Sequence, residues 1–191
     1  MNIPSPSNSM LELSQIAAQL APSIDEPVKR AGQMIWQSLQ QGGKVLACGN
    51  GGSAADAQHF VAELVGRLLQ DRRPLAALAL NVDPSVVTAL ANDYGYENLF
   101  SRQVEALGRA GDVLLVLSTS GRSINVIKSL QVAHAAGLHT IALVGVGGDP
   151  LLNECDVCFH VPSTSTQRIQ ELHISLLHAI CEEVEFHLLN E

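Results

Sequence analysis

The feature that most constrains the fold is a regular alternation of short apolar segments with longer segments of helical character. The apolar runs are Lys44–Cys48, Leu75–Leu80, Val113–Leu117, Thr140–Val144 and Val157–Val161. Runs of this length without polar alternation are typical of strands buried on both faces, as in parallel sheets. The alternation therefore predicts an α/β fold, a doubly wound five-stranded parallel sheet flanked by helices.

The segments between these runs predict helices, and two further helices precede the first strand. The predicted helices are Ser9–Leu20, Asp25–Gln41, Ser53–Leu69, Ser85–Ala91, Tyr96–Leu107, Ser123–Ala136 and Thr166–Leu189. Residues 1–8 contain two prolines and small polar residues, which predicts a flexible tail. No repeat or linker divides the rest, so residues 9–191 are expected to form a single domain that includes the N-terminal helices.

The composition narrows the class of function. The 191 residues include 11 basic and 19 acidic side chains, giving a net charge of −8, and no basic cluster that would suit nucleic acid. The four cysteines do not form a disulfide framework at this length. Because neither a secretion signal nor an apolar run of about 20 residues is present, we expect a cytoplasmic protein that binds neither membrane nor nucleic acid.

Two loops rich in glycine and serine, Cys48–Ser53 and Ser118–Ser123, each lead from a predicted strand into a predicted helix. Ligands of open parallel sheets bind beyond the carboxyl ends of the strands. Glycine lets the backbone approach an anion, helix N-terminal N–H groups donate to it, and Ser53 is placed to cap the first of these helices. Either loop alone could be a simple turn, but together they predict a neutral phosphate site.

The first loop also fits part of a dinucleotide-binding pattern, Gly49-x-Gly51-x-x-Ala54. That pattern requires an acidic residue at the carboxyl end of the second strand, where it binds the ribose. Asp71 lies before this strand, and Asp83 comes about ten residues too late. The chain is therefore not expected to bind NAD.

Two helices carry side chains suited to metal or acid–base chemistry. His59 and Glu63 are four residues apart and project from one helix face, although a solvated surface pair is the more common outcome of this spacing. Gln170 and His178 lie in the apolar C-terminal helix, where polar groups need partners. A structural hydrogen bond is the alternative for each of these two residues.

Several segments together resemble one family, and the resemblance runs from about Val28 to Leu188 in order and spacing. The segments are Gly49-Asn50-Gly51-Gly52-Ser53, Asp56–Phe60, Ala91–Asp93, Gly111–Leu115, Ser118–Gly121 and Arg168–His173. They resemble the phosphoheptose isomerases of the sugar isomerase (SIS) superfamily, whose fold is flavodoxin-like. The resemblance implies conversion of sedoheptulose 7-phosphate to D-glycero-D-manno-heptose 7-phosphate through an enediol, for the heptose of surface lipopolysaccharide.

The resemblance also implies the residues of the site. It implies a zinc ion held by His59, Glu63, Gln170 and His178, with Glu63 and His178 as acid–base residues. The implied substrate contacts are Asn50, Gly51, Gly52, Ser53, Glu63, Asn92, Asp93, Ser118, Thr119, Ser120, Ser123 and Gln170. A homotetramer with its sites at subunit interfaces is implied as well.

Arg122 stands where this family more often has Asn, and it adds a positive charge beside the second loop. Related replication-initiator-associating proteins share the fold and the first loop, but they bind partners and do not catalyse isomerisation. They lack a carboxylate and an imidazole at the positions of Glu63 and His178. Both residues are present here, which favours the enzyme.

The spacing of two site residues bears on assembly. Gln170 and His178 are eight residues apart on one helix, a separation of ~12 Å along its axis, so they are poorly placed to reach a single ion. The same helix has apolar residues around most of its circumference, which favours burial against a partner chain. We therefore expect the active site to be assembled between subunits, with Glu63 and His178 of each site on different chains. The alternative is a site within one chain in which only one of Gln170 and His178 touches the ligand.

Overall fold

The computed structural model describes residues 5–190, and helices and strands alternate along them as the sequence predicts. The helices are α1 (Pro6–Leu20), α2 (Asp25–Gln40), α3 (Gly52–Val65), α4 (Pro84–Tyr94), α5 (Leu99–Leu107), α6 (Ile124–Ala135) and α7 (Thr166–Leu189). The strands are β1 (Val45–Gly49), β2 (Ala77–Ala79), β3 (Val113–Ser118), β4 (His139–Val144) and β5 (Val157–His160). None of the described helices is long and apolar enough to cross a membrane.

The first helix begins earlier than predicted. Ser5 caps it by accepting the Asn8 N–H on Oγ at 3.3 Å, and Pro6 occupies the first helical position. Proline suits that position because its φ is already helical and its missing N–H would have had no helical partner. The predicted flexible tail is therefore wrong for residues 6–8, and residues 1–4 lie outside the described part of the chain.

All five strands are parallel and lie in the order β2-β1-β3-β4-β5, which confirms the doubly wound sheet. The chain winds to one side from β1 and to the other from β3, so the switch point lies between these two strands. Gly49 at the end of β1 is in register with Leu117 near the end of β3. The loops that follow β1 and β3 therefore leave the sheet side by side, at its carboxyl edge.

The sheet separates two apolar layers. Helices α2, α3 and α7 cover one face, with fully buried side chains such as Phe60, Leu115 and Leu177. Helices α5 and α6 cover the other face, where Phe100 and Leu114 are also fully buried. Each such side chain stabilises the fold by about 1.5–3 kcal/mol relative to an exposed one. The layers fix α3 and α6 to the sheet and thereby fix the loops that precede them.

Strand β2 is shorter and more exposed than predicted. The sequence predicts a strand over Leu75–Leu80 buried on both faces, but the strand spans Ala77–Ala79 and Leu78 is 38% exposed. The reason is its place at the edge of the sheet, where it pairs only with β1. An apolar run in the sequence does not distinguish an edge strand from a central one.

Candidate active site

The first loop presents backbone N–H groups at the start of α3. Gly51 has φ of 58°, a conformation that favours glycine, and it precedes the helix without any side-chain cap. Ser53 does not cap the helix as expected, because it lies within the first turn and is only 2% exposed. The N–H groups of Gly51 and Gly52 donate no hydrogen bond to any residue that the structure describes. They remain available to an anion at a helix N-terminus.

The second loop is a tight turn between β3 and α6. Gly121 has φ of 61°, and a Cβ at this position would lie 2.7 Å from Cα of Gly148, so the turn requires glycine. Ser118 donates through its hydroxyl to Ser123 Oγ at 3.1 Å, and Ser120 Oγ accepts the N–H of Arg122 at 3.2 Å. The hydroxyls therefore hold the loop in shape at the end of the strand.

An open cavity of about 570 Å³ adjoins both loops. Its lining consists of Asn50, Tyr96, Glu97, Arg122, Ser123, Ile124 and Asn125. Arg122 is the only cationic side chain in this lining, and its guanidinium forms no hydrogen bond or ion pair within residues 5–190. An anion that enters the cavity therefore meets one unpaired positive charge beside the neutral donors of the loops.

Three side chains that could hold a metal ion converge on α3 and α7. Nε2 of His59 lies 3.2 Å from Oε1 of Glu63 and 2.9 Å from Nε2 of His178. One ligand atom from each of the three lies within 4.8 Å of the others. His59 is 45% exposed in its side chain and Glu63 is 20% exposed, so solvent and small molecules can reach the cluster. Two imidazoles and one carboxylate are a common ligand set for catalytic zinc.

This cluster corrects the expectation about subunits. Glu63 and His178 were expected to meet only between different chains, yet α3 and α7 of one chain pack together and bring them into contact range. Gln170 is separated from them on α7, as its spacing predicts, because it packs at the other end of α3. A Cβ at Gly52 would overlap the Gln170 carboxamide. Gln170 therefore lies at the first loop and not at the cluster.

Asn92 and Asp93 are not brought to the loops through hydrogen bonds. They lie on the exposed last turn of α4, where Asn92 Nδ2 donates to Oδ1 of Asp93 at 2.7 Å. Neither side chain hydrogen-bonds to a described residue of either loop. Their assignment to the substrate stays a prediction.

Asp56 lies one turn before His59 on α3, and sequence reasoning gave it no role. Its Oδ2 is buried and has no hydrogen-bond partner among residues 5–190. Burial raises the pKa of Asp56, and the neighbouring charge of His59 acts in the opposite direction. Asp56 belongs to a segment that carries the family resemblance, Asp56–Phe60, but nothing in the sequence marks it as part of the site.

A buried ion pair between Arg72 and Glu185 fixes the end of α3 against α7. Their side chains are 3% and 4% exposed, and Arg72 Nε lies 3.1 Å from Glu185 Oε1. Arg72 also donates to the carbonyl oxygens of Glu63 at 2.6 Å and Leu64 at 2.8 Å. Glu185 accepts the N–H groups of residues 68–70. Although burial raises the pKa of Glu185, these N–H groups and the Arg72 charge lower it overall.

The chain is similar to known proteins over most of its length. Residues 10–145 match the family model described as the SIS domain, which is the class of protein that this sheet and its two loops define. The phosphoheptose isomerase of Bordetella avium is 49% identical over 179 residues, which cover 92% of this chain and 91% of that protein. The chain therefore belongs to the phosphoheptose isomerase family of SIS-domain proteins.

Solved structures agree with this assignment. The phosphoheptose isomerase structure from Neisseria gonorrhoeae has a TM-score of 0.88 and 46% identity, covering 94% of this chain and 96% of that one. The structure of a phosphoheptose isomerase from Francisella tularensis has a TM-score of 0.89 and 36% identity, covering 93% of this chain and 95% of that one. The fold is therefore shared over nearly the whole length of each chain.

Proposed function

We propose that this protein interconverts sedoheptulose 7-phosphate and D-glycero-D-manno-heptose 7-phosphate. The observation that carries the proposal is that His178 on α7 meets His59 and Glu63 on α3, the helix that starts at the first glycine-rich loop. From Gly52 to His59 the rise along α3 is ~10 Å. This separation suits a long sugar phosphate whose phosphate and reacting carbons lie at opposite ends.

Aldose–ketose isomerisation moves a proton between C1 and C2 of the sugar through an enediol. The reaction needs a base that reaches both carbons and a group that stabilises the developing oxyanion. Glu63 and His178 are the ionisable side chains of the cluster that we assign to these proton transfers. The loops after β1 and β3 hold the phosphate, so the reacting end of the sugar is directed along α3 toward the two residues.

The cluster also fits a zinc ion. His59, Glu63 and His178 supply two nitrogens and one oxygen within the spacing of one ion, which leaves a position open for substrate. Bound zinc would polarise the sugar carbonyl and stabilise the enediol oxygens. Because a carboxylate that binds a metal is a weaker base, we assign proton transfer jointly to Glu63 and His178.

The proposal includes a homotetramer in which subunits share sites. Gln170 packs at Gly52, two helical turns from His59, so a Gln170 ligand for the same ion would have to come from a partner subunit. Apolar side chains on the exposed surfaces of α1 and α7, such as Leu11, Phe186 and Leu189, support burial against other copies. All four cysteines are free, which supports a reducing, cytoplasmic location for a step of lipopolysaccharide synthesis.

A non-enzymatic role of the replication-initiator-associating type is not favoured. That role requires neither a carboxylate nor an imidazole at the cluster, whereas here both are present and lie together. Tight binding to a replication initiator without any turnover would support it.

The decisive experiment measures isomerisation of sedoheptulose 7-phosphate beside a panel of shorter ketose phosphates. Glu63→Gln and His178→Ala should each lower turnover at least ~100-fold, the range of general acid–base groups. Glu183→Gln is the matched control, because Glu183 forms the same i,i+4 pair with His187 on α7, at 3.3 Å. Near-normal turnover in a folded Glu63→Gln or His178→Ala protein would exclude that residue from catalysis.

A further inference from the structure

The side chain of Asn50 forms hydrogen bonds with two other side chains of the protein. Its Nδ2 donates to Oδ1 of Asn125 at 2.9 Å, and Nδ2 of Asn125 donates back to Oδ1 of Asn50 at 2.9 Å. The hydroxyl of Tyr96 donates to the same Asn50 oxygen at 2.9 Å. A carbonyl oxygen has two lone pairs, so both acceptor positions of Asn50 Oδ1 are in use.

This amide pair joins the two phosphate loops. Asn50 belongs to the loop after β1, whereas Asn125 lies in the first turn of α6, directly after the second loop. Asn125 is only 3% exposed, and its Oδ1 also accepts the N–H of Val126 at 3.0 Å. Separating the two side chains would leave the buried amide of Asn125 without its partner, which costs free energy. The two side chains therefore stay paired. Tyr96, which is 53% exposed, covers the pair at the wall of the cavity.

Backbone N–H groups lie on both sides of this pair. Gly51 and Gly52 carry the unpaired N–H groups of the first loop, and those of Ile124 and Asn125 at the start of α6 also donate to no described residue. An anion held by both sets requires a fixed spacing between them. The Asn50–Asn125 pair links the two loops through side chains between these N–H groups.

We propose that Asn125 and Tyr96 are positioning residues for the sugar phosphate, which act by holding the Asn50 side chain and, with it, the first loop in place. Asn50 Oδ1 is an acceptor, as a phosphate oxygen is, so its two hydrogen bonds hold the loop and do not reach the ligand. The inference rests on the proposed function only in its choice of ligand. The chemistry that it describes is binding of a phosphate monoester by backbone N–H groups of two coupled loops.

A double-mutant cycle tests the coupling. Asn50→Ala and Asn125→Ala should each weaken binding of inorganic phosphate and of sedoheptulose 7-phosphate about tenfold, as expected for loss of the paired hydrogen bonds. The double variant should be no weaker than either single variant, because each change destroys the same pair. Calorimetry measures binding, and steady-state kinetics should show a raised KM with kcat changed by less than about twofold.

Ser129→Ala is the matched control for general loosening of the contact between α6 and β1. Ser129 is fully buried one turn after Asn125, and its Oγ donates to the Val126 carbonyl and contacts Cys48 Sγ at 3.9 Å. This control should bind phosphate with the wild-type affinity. A loss of affinity in Ser129→Ala equal to that in Asn125→Ala would overturn the proposal, since the effect would then be structural.

Two other results would also overturn it. One is a double variant whose loss of affinity is the product of the two single losses. The other is an Asn125→Ala protein that binds phosphate as tightly as wild type while Asn50→Ala binds it weakly. If Asn125→Ala does not fold, a second double-mutant cycle combines Asn50→Ala with Tyr96→Phe at the exposed tyrosine. Tyr96→Phe should weaken phosphate binding about threefold, and the double variant should bind no more weakly than Asn50→Ala. A wild-type protein that binds phosphate without isomerising sugars would refute the proposed function and leave the binding cycle fully informative.

Discussion

Acid should destabilise this protein through one buried histidine. His173 on α7 is 0% exposed, and neither ring nitrogen has a hydrogen-bond partner among residues 5–190. Burial lowers the pKa of His173 from 6.5 to about 4, and the nearby backbone of Val144, which forms no hydrogen bond of normal geometry with the ring, opposes this only in part. The folded state therefore keeps the imidazole neutral over a pH range in which the unfolded chain protonates it.

The size of the effect follows from the difference between the two pKa values. Between pH 6.5 and pH 4 the unfolded chain binds the additional proton, so stability falls as the pH is lowered through this range. A difference of about 2.5 between the two pKa values lowers the free energy of unfolding by about 3 kcal/mol once the folded and unfolded states are both protonated. About 2 kcal/mol of this loss is expected by about pH 5.

Urea unfolding at about pH 7.5 and about pH 5, at one protein concentration and one ionic strength, measures this loss. Between about pH 7.5 and about pH 5, the free energy of unfolding should fall by about 2 kcal/mol more in the wild-type protein than in His173→Gln or His173→Leu, which cannot titrate at this position. The two substitutions differ in polarity, so a shared reduction of the pH dependence identifies the missing proton as its cause. The same pH dependence in wild type and both variants would refute the assignment of a buried neutral imidazole.

Two further predictions concern α3 and α7. Mixing Glu63→Gln with His178→Ala subunits under exchange conditions should restore no activity, because both residues of the cluster belong to one chain; recovery would show that they act across subunits. Arg72→Met should cost about 3–5 kcal/mol of stability by leaving Glu185 buried without its partner. Arg72→Lys should cost less because it keeps the charge, and unfolding curves that match wild type for Arg72→Met would contradict the role of this ion pair.

Local sequence patterns were sufficient for the fold and for part of the site. The apolar runs at Val113–Leu117 and Thr140–Val144 predicted central strands correctly, because a segment buried on both faces needs apolar side chains throughout. The i,i+4 spacing of His59 and Glu63 predicted a shared helix face, since that spacing is fixed by the helix itself. The two loops followed from glycine and serine at strand ends.

Features that depend on neighbours distant in the chain were not predictable in the same way. Nothing near Ser53 in the sequence shows that it is buried within the first turn of α3, and nothing in the run at Leu75–Leu80 shows that it forms an edge strand. Asn125 and Tyr96 were missed because their partner, Asn50, is 75 and 46 residues away. Such pairs depend on how helices and loops are placed on the sheet.

The sequence by itself therefore determined the order of helices and strands, the parallel sheet, the position of the two glycine- and serine-rich loops and the residue types of the cluster. Only the tertiary structure decided that His178 joins His59 and Glu63 within one chain. The physical reason is that the alignment of α3 with α7 is set by packing and by the Arg72–Glu185 ion pair, whose members are 113 residues apart. Periodicity fixes which face a side chain occupies, and long-range packing fixes what that face meets.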